Sequence, residues 1–162
     1  MFRYATVIAV ALFAASCAIR SPCVDGERVN FRVSALGDNL REMAFHLPVK
    51  GRLTHVQVLR QTSAGNREMV WSSHGASDIA SLNAHGLRES IGYGLDHGGL
   101  VQDNAASPLL DGQIYIVYVA VVDSSGKELR GGTVFVASEQ DGVSYHCDSV
   151  EQCSAYLLSE IT

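Results

Sequence analysis

No stretch of this chain stays apolar for the roughly 20 residues a helix needs to cross the hydrocarbon core of a bilayer. The longest greasy run, residues 5–15, stops at 11, which argues against a spanning helix. Grouped cations are missing too: 12 Lys+Arg stand against 17 Asp+Glu, a net charge of −5 with no basic run. Neutralising phosphates takes clustered Lys and Arg, so nucleic acid is not an expected partner. Cysteine is scarce, with Cys17, Cys23, Cys147 and Cys153 only, and Cys147-x5-Cys153 without a second nearby pair is not zinc spacing. There is no Gly-x-Ser-x-Gly elbow for a nucleophile and no His-x-His or His-Glu-x-x-His unit for a metal. Gly92-x-Gly94 is not followed by a helix whose N-terminus could take phosphate. No catalytic residue, metal ligand or cofactor is therefore assigned, and the chain is read as a non-enzyme. The six histidines, His46, His55, His74, His85, His97 and His146, are scattered. Surface or loop positions are their default, with Asp96, His97 and Asp103 the best local grouping for a labile ion.

What is present begins with a leader. Arg3 precedes the apolar run, which ends in small residues, as an export signal does. Ala14-Ala15-Ser16-Cys17 resembles a bacterial lipoprotein signal. That resemblance implies lipidation of Cys17, a mature chain starting there, and residence in the periplasm. Ala18, standing where aspartate would signal inner-membrane retention, points to the outer membrane. The alternative is an ordinary small-x-small cleavage site at Ala14-Ala15-Ser16 that leaves Cys17 a plain cysteine. Either way, loss of residues 1–16 removes one cation and leaves 146 residues, the size of one domain, with net charge −6. Residues 17–28 read as anchor and tether, and 29–162 as the folded body. An oxidising compartment favours a Cys147–Cys153 bridge, with Cys23 bridging either one as the rival.

The body is written in period two. Val29, Phe31 and Val33 alternate with polar neighbours, as do Met43, Phe45 and Leu47 before Pro48 is expected to stop the run. Residues 53–61 and 67–72 flank a turn containing Gly65 and Asn66, the clearest hairpin of the first half. Residues 114–122 are β-branched and aromatic on both faces, the mark of a central strand. A turn at 123–126 returns the chain through 133–137, and Asp141-Gly142 turns it again into 143–147. Asp148, or Ser149 with Gln152 three residues on, can cap a short helix carrying Val150, Tyr156 and Leu157. Residues 73–110 are less regular, with a strand at 90–93 that gives way to loop. About eight short strands and one short helix predict an all-β, immunoglobulin-like two-layer β-sandwich. An open barrel is the alternative.

One pattern is more specific. Trp71, then Ile91-Gly92-Tyr93-Gly94 with Gly99, Ala106-x-Pro108-Leu109, Gly112-x-x-Tyr115-x-Val117 and a closing strand with Phe135 resembles small periplasmic lipoproteins that serve as immunity proteins of type VI secretion systems. The resemblance spans roughly residues 53–136 and departs at Leu95-Asp96-His97, where that group often has proline. It implies a protein that binds and neutralises a toxin in the periplasm. Partner-binding candidates are Trp71, Tyr93, Asp96, His97 and Asp103, and the surfaces to test are the 93–108 loop and the 76–87 segment. An accessory role in an envelope assembly or secretion machine, or a carbohydrate-binding module using Trp71, Tyr93, Tyr115, Tyr118 and Phe135, are the other readings. Most of those rings are expected in the core, because each buries 150–250 Å².

Overall fold

The computed structural model describes residues 22–63, 65–75, 87–96 and 100–161. The expectations placed on Cys17, His85, His97 and residues 76–86 lie outside them. Among the described residues the chain is all-β with one short C-terminal helix. The strands are β1 (Cys23–Val24), β2 (Glu27–Arg28), β3 (Phe31–Arg32), β4 (Ser34–Leu36), β5 (Ala44–Ser63), β6 (Asn66–Gly75), β7 (Arg88–Gly92), β8 (Leu100–Asn104), β9 (Ile114–Val122), β10 (Glu128–Ser138) and β11 (Gly142–Cys147). They are followed by α1 (Val150–Glu160).

The order β11-β10-β9-β5-β6-β8 forms the main sheet, and β3 runs parallel to β10 beside Gly131 and Gly132. The first part of β5 serves a second group of strands, pairing with β4 on one side and β7 on the other. β5 is thus the strand both groups share. Pro48, expected to end a strand, lies inside β5. Pairing with β7 covers residues 44–46 and resumes, shifted in register, at Gly51. No ladder N–H is demanded of position 48, so proline costs little there.

β9 shows why a strand can be apolar on both faces. Tyr115, Val117, Val119 and Val121 point into the main core with Phe45, Trp71 and Phe135. Ile114 and Ile116 point the other way, into a second cluster with Val24, Val134, Cys147 and Cys153. The helix closes that second cluster. Ser149 caps α1, its Oγ accepting from the Gln152 backbone N–H at 3.3 Å, and Gln152 Oε1 accepts from the Asp148 N–H at 2.7 Å. Tyr156 stacks on Tyr145 of β11 with ring centroids 4.3 Å apart.

Cys153, fully buried on α1, is bridged to Cys147 at the end of β11, with Cα atoms 5.6 Å apart. Cys23 is also disulfide-bonded, to neither of these two, so the rival pairing does not occur. The closed loop is short, and removing the crosslink through Cys153→Ser is expected to cost about 2 kcal/mol. Urea unfolding of the variant checks this. An unchanged midpoint would mean the helix is held by packing alone.

The stretch read as a tether is packed from Pro22 onward. β1 and β2 pair as a small hairpin, Val24 is fully buried, and the Asp25 N–H donates to the Asp148 carbonyl at 2.9 Å. An apolar residue at position 24 provides the reason, since it completes the cluster beneath α1.

His146 fastens β11 to β4. Its Nε2 lies 3.1 Å from the Ala35 carbonyl oxygen, and burial lowers its pKa below the usual 6.5. The unfolded chain therefore takes up protons at this site before the folded one does. The contribution of neutral His146 is fully present above about pH 6.5 and is lost as pH falls through the depressed folded value. His55 shifts the same way through burial. Stability is expected to decline between pH 7.5 and 5, and His146→Phe should flatten that decline. Denaturation midpoints across the range measure it.

Candidate binding cleft where four loops converge

Five aromatic rings run through the main core, and one of them reaches the surface. Tyr115 stacks on Phe135 at 5.7 Å, Phe135 meets Phe45 at 6.4 Å, Phe45 meets Tyr93 edge-on at 6.4 Å, and Tyr93 meets Trp71 edge-on at 5.3 Å. Trp71, Tyr115 and Phe135 are fully enclosed. Trp71 is therefore not a partner-binding residue: on β6 its ring faces the sandwich interior and offers no surface. Tyr93 follows β7 and is only partly buried. Its hydroxyl donates to the Ser107 carbonyl at 2.6 Å, and burial raises its pKa well above the ordinary phenol range. A permanently protonated hydroxyl is what a fixed donor needs.

That bond ties two loops together, and backbone bonds tie both to the strands. The Tyr93 N–H donates to the Met43 carbonyl at 2.8 Å and the Ser107 N–H to the Val70 carbonyl at 2.9 Å. Gly94 has a φ of +70°, and a Cβ there would lie 2.8 Å from the Ala106 Cβ. Glycine is thus required twice over, for the backbone angle and for the close approach. Leu95 closes the turn with its N–H 3.3 Å from the Gly92 carbonyl and stays 64% exposed.

The loops at 39–42, 93–94 and 106–109, with Glu139 after β10, enclose an open cleft of about 850 Å³. Tyr93 and Pro108 line one side; Arg41, Glu42 and Glu139 supply charge. The 39–42 wall is pinned by the Arg41 N–H donating to Asn39 Oδ1 at 2.9 Å. The Glu139 N–H donates to Asp111 Oδ1 at 2.8 Å. A rigid scaffold carrying several convergent loops is where binding residues concentrate, and Tyr and Arg are side chains enriched among those that dominate interface energy.

Of the candidates read from sequence, Tyr93 stands in this cleft. Asp96 is exposed just beyond Leu95. Asp103 is on β8 instead of in a loop, its Oδ2 2.8 Å from Nδ1 of His74. His55 sits opposite His74 on the neighbouring strand. Among the described residues, no group of three His, Cys, Asp or Glu side chains is placed to hold a metal ion. The register between β6 and β8 shifts beside Asp103, between Ser72 and Ser73. An irregular edge carrying an acidic side chain discourages pairing with another strand, so β8 is a poor docking edge. Arg41, Glu42 and Glu139 were missed. Gly37-Asp38-Asn39 marks a turn, but nothing local says which other loops that turn meets.

Compared with protein-family models, curated proteins and solved structures, the chain matches none.

Proposed function

We propose that this is an exported protein-binding module that holds a toxin through the 39–42, 93–95 and 106–109 loops, as an immunity protein of the periplasm would. The observation that carries the reading is the cleft built around Tyr93. It is preformed, backbone-braced and lined by both signs of charge, and the exposed Leu95 follows its Tyr93-Gly94 wall in the chain. Preformed loops lose little conformational entropy on binding, which favours tight association. The Tyr93-Gly94 and Pro108-Leu109 elements that carry the resemblance to immunity lipoproteins are the ones that shape this cleft, and the acidic surface complements a basic partner.

The decisive experiment is co-expression with a toxin encoded by the adjacent gene and directed to the periplasm. The protein is expected to rescue growth, and Leu95→Asp or Glu42→Arg to abolish rescue while leaving the thermal midpoint within a few degrees. Failure of the unaltered protein to rescue would refute immunity. Rescue by both variants would move the interface elsewhere.

The tether is part of the proposal. The sulfur of Cys17 can carry a lipid thioether or a bridge to Cys23, not both. Intact mass of the mature protein separates a lipidated, membrane-bound form from an acyl-free one. Multiple acyl chains, each worth about 0.8 kcal/mol per buried CH₂, would hold it firmly to the outer membrane. In the lipidated form, Cys17→Ser is expected to release the protein into the soluble fraction; in the bridged form it removes that disulfide and leaves the fraction unchanged.

A further inference from the structure

The outer face of the main sheet carries a second concavity, independent of the loop cleft. Gln57 on β5 and Tyr118 on β9 are direct cross-strand neighbours on its floor. Glu27, Glu128 and Arg130 stand along its rim and Arg67 reaches in from β6, around an open volume of about 600 Å³. That volume is in the range of small-molecule sites. Gly132 stands beside Tyr118 in the ladder, and a Cβ there would come 3.3 Å from the tyrosine ring.

Two features go beyond a solvated sheet face. The Tyr118 hydroxyl is enclosed; the Arg67 guanidinium approaches its oxygen, but its proton has no acceptor among the described residues. Burial pushes its pKa up to about 12, with the Arg67 guanidinium beside it. An enclosed, unsatisfied hydroxyl costs free energy that a ligand acceptor would recover. Arg67, in turn, is held in place by an ion pair with Asp25. The Asp25 side chain is only 5% exposed and also accepts from the Val150 N–H at 3.3 Å. Asp25 adopts a φ of 49°, unusual for a residue with a Cβ. An arginine fixed by a buried carboxylate next to an unsatisfied hydroxyl is a preorganised carboxylate receptor.

The rim is not simply cationic. Glu27 and Glu128 stand with Arg130, whose Nε is 3.1 Å from Glu128 Oε1. A dianion would meet both glutamates, whereas a ligand with a carboxylate at one end and an ammonium at the other meets a partner for each. We infer that this trough binds a zwitterionic amino acid or short peptide, its carboxylate on Arg67 and Tyr118 and its ammonium at the glutamates of the rim.

The test uses the mature protein titrated with alanylalanine, N-acetyl-alanylalanine, alanylalanine amide and succinate. Calorimetry and the Tyr118 ring resonances give the readouts. Alanylalanine is expected to bind and shift Tyr118, with each blocked form at least 10-fold weaker. Tyr118→Phe should weaken binding at least 5-fold without lowering the thermal midpoint. No binding of alanylalanine at millimolar concentration, equal binding of the blocked forms, tighter binding of succinate, or an unchanged affinity in Tyr118→Phe would each overturn it.

Discussion

Replacing Trp71 by alanine is expected to lower the unfolding free energy by about 3–5 kcal/mol, a fall in thermal midpoint of roughly 10–20 °C. Trp71 is fully buried, and its indole meets the Tyr93 ring edge-on. Truncation leaves a large void in a core that packs at crystal-like density. It also removes the ring against which Tyr93, and through it the loop cleft, is set. Any loss of partner binding in this variant should therefore come with loss of fold. Trp71→Phe, which keeps an aromatic ring at the site, should recover much of the stability and of the binding. Lost binding with an unchanged urea midpoint in Trp71→Ala would return this residue to the surface and contradict its assignment to the core.

Gly131→Val should cost about 3 kcal/mol or more, at the upper end of what overpacking produces. A Cβ at 131 would stand 2.0 Å from Phe31 Cε2. The contact lies where β3 runs parallel to β10, so the ring cannot swing aside without moving the strand that carries it. Phe31 is itself buried, and Phe31→Ala alone should be destabilising through the cavity it leaves. The double variant is the sharper experiment. The added valine should partly fill the space vacated by Phe31, so the two costs should sum to less than their separate values by about 1 kcal/mol or more. Additive costs would show that the two positions do not compete for the same space.

How far the sequence could be read depended on whether the cause was local. β9, the β5–β6 hairpin and the Ser149 cap rest on an unbroken β-branched and aromatic run, a Gly-Asn turn and a side chain three residues from its donor. Each is decided within a dozen residues. Pro48 misled because a proline is locally a breaker, while the register shift that accommodates it is set by β7, some 40 residues away in sequence. β8 was hidden inside an irregular stretch since its residues are almost all exposed and show no alternation. Trp71 and Tyr93 were equally plausible as surface or core residues from sequence; only the pairing of strands decides which face of β6 is covered. The cleft draws on four loops and the trough on four strands and a hairpin, so neither has a contiguous signature. Asp25 is the clearest such case. It was read as part of a tether, yet it anchors Arg67 and the start of α1.

The central claim is that the loops around Tyr93 are where this protein meets its partner. Amide hydrogen exchange, compared between the free protein and its complex with the adjacent-gene toxin, tests it most directly. Slowed exchange confined to residues 39–42, 92–96 and 105–109 is the predicted result. Protection of β8 or of the outer face of β9 and β10, with those loops unchanged, would contradict it.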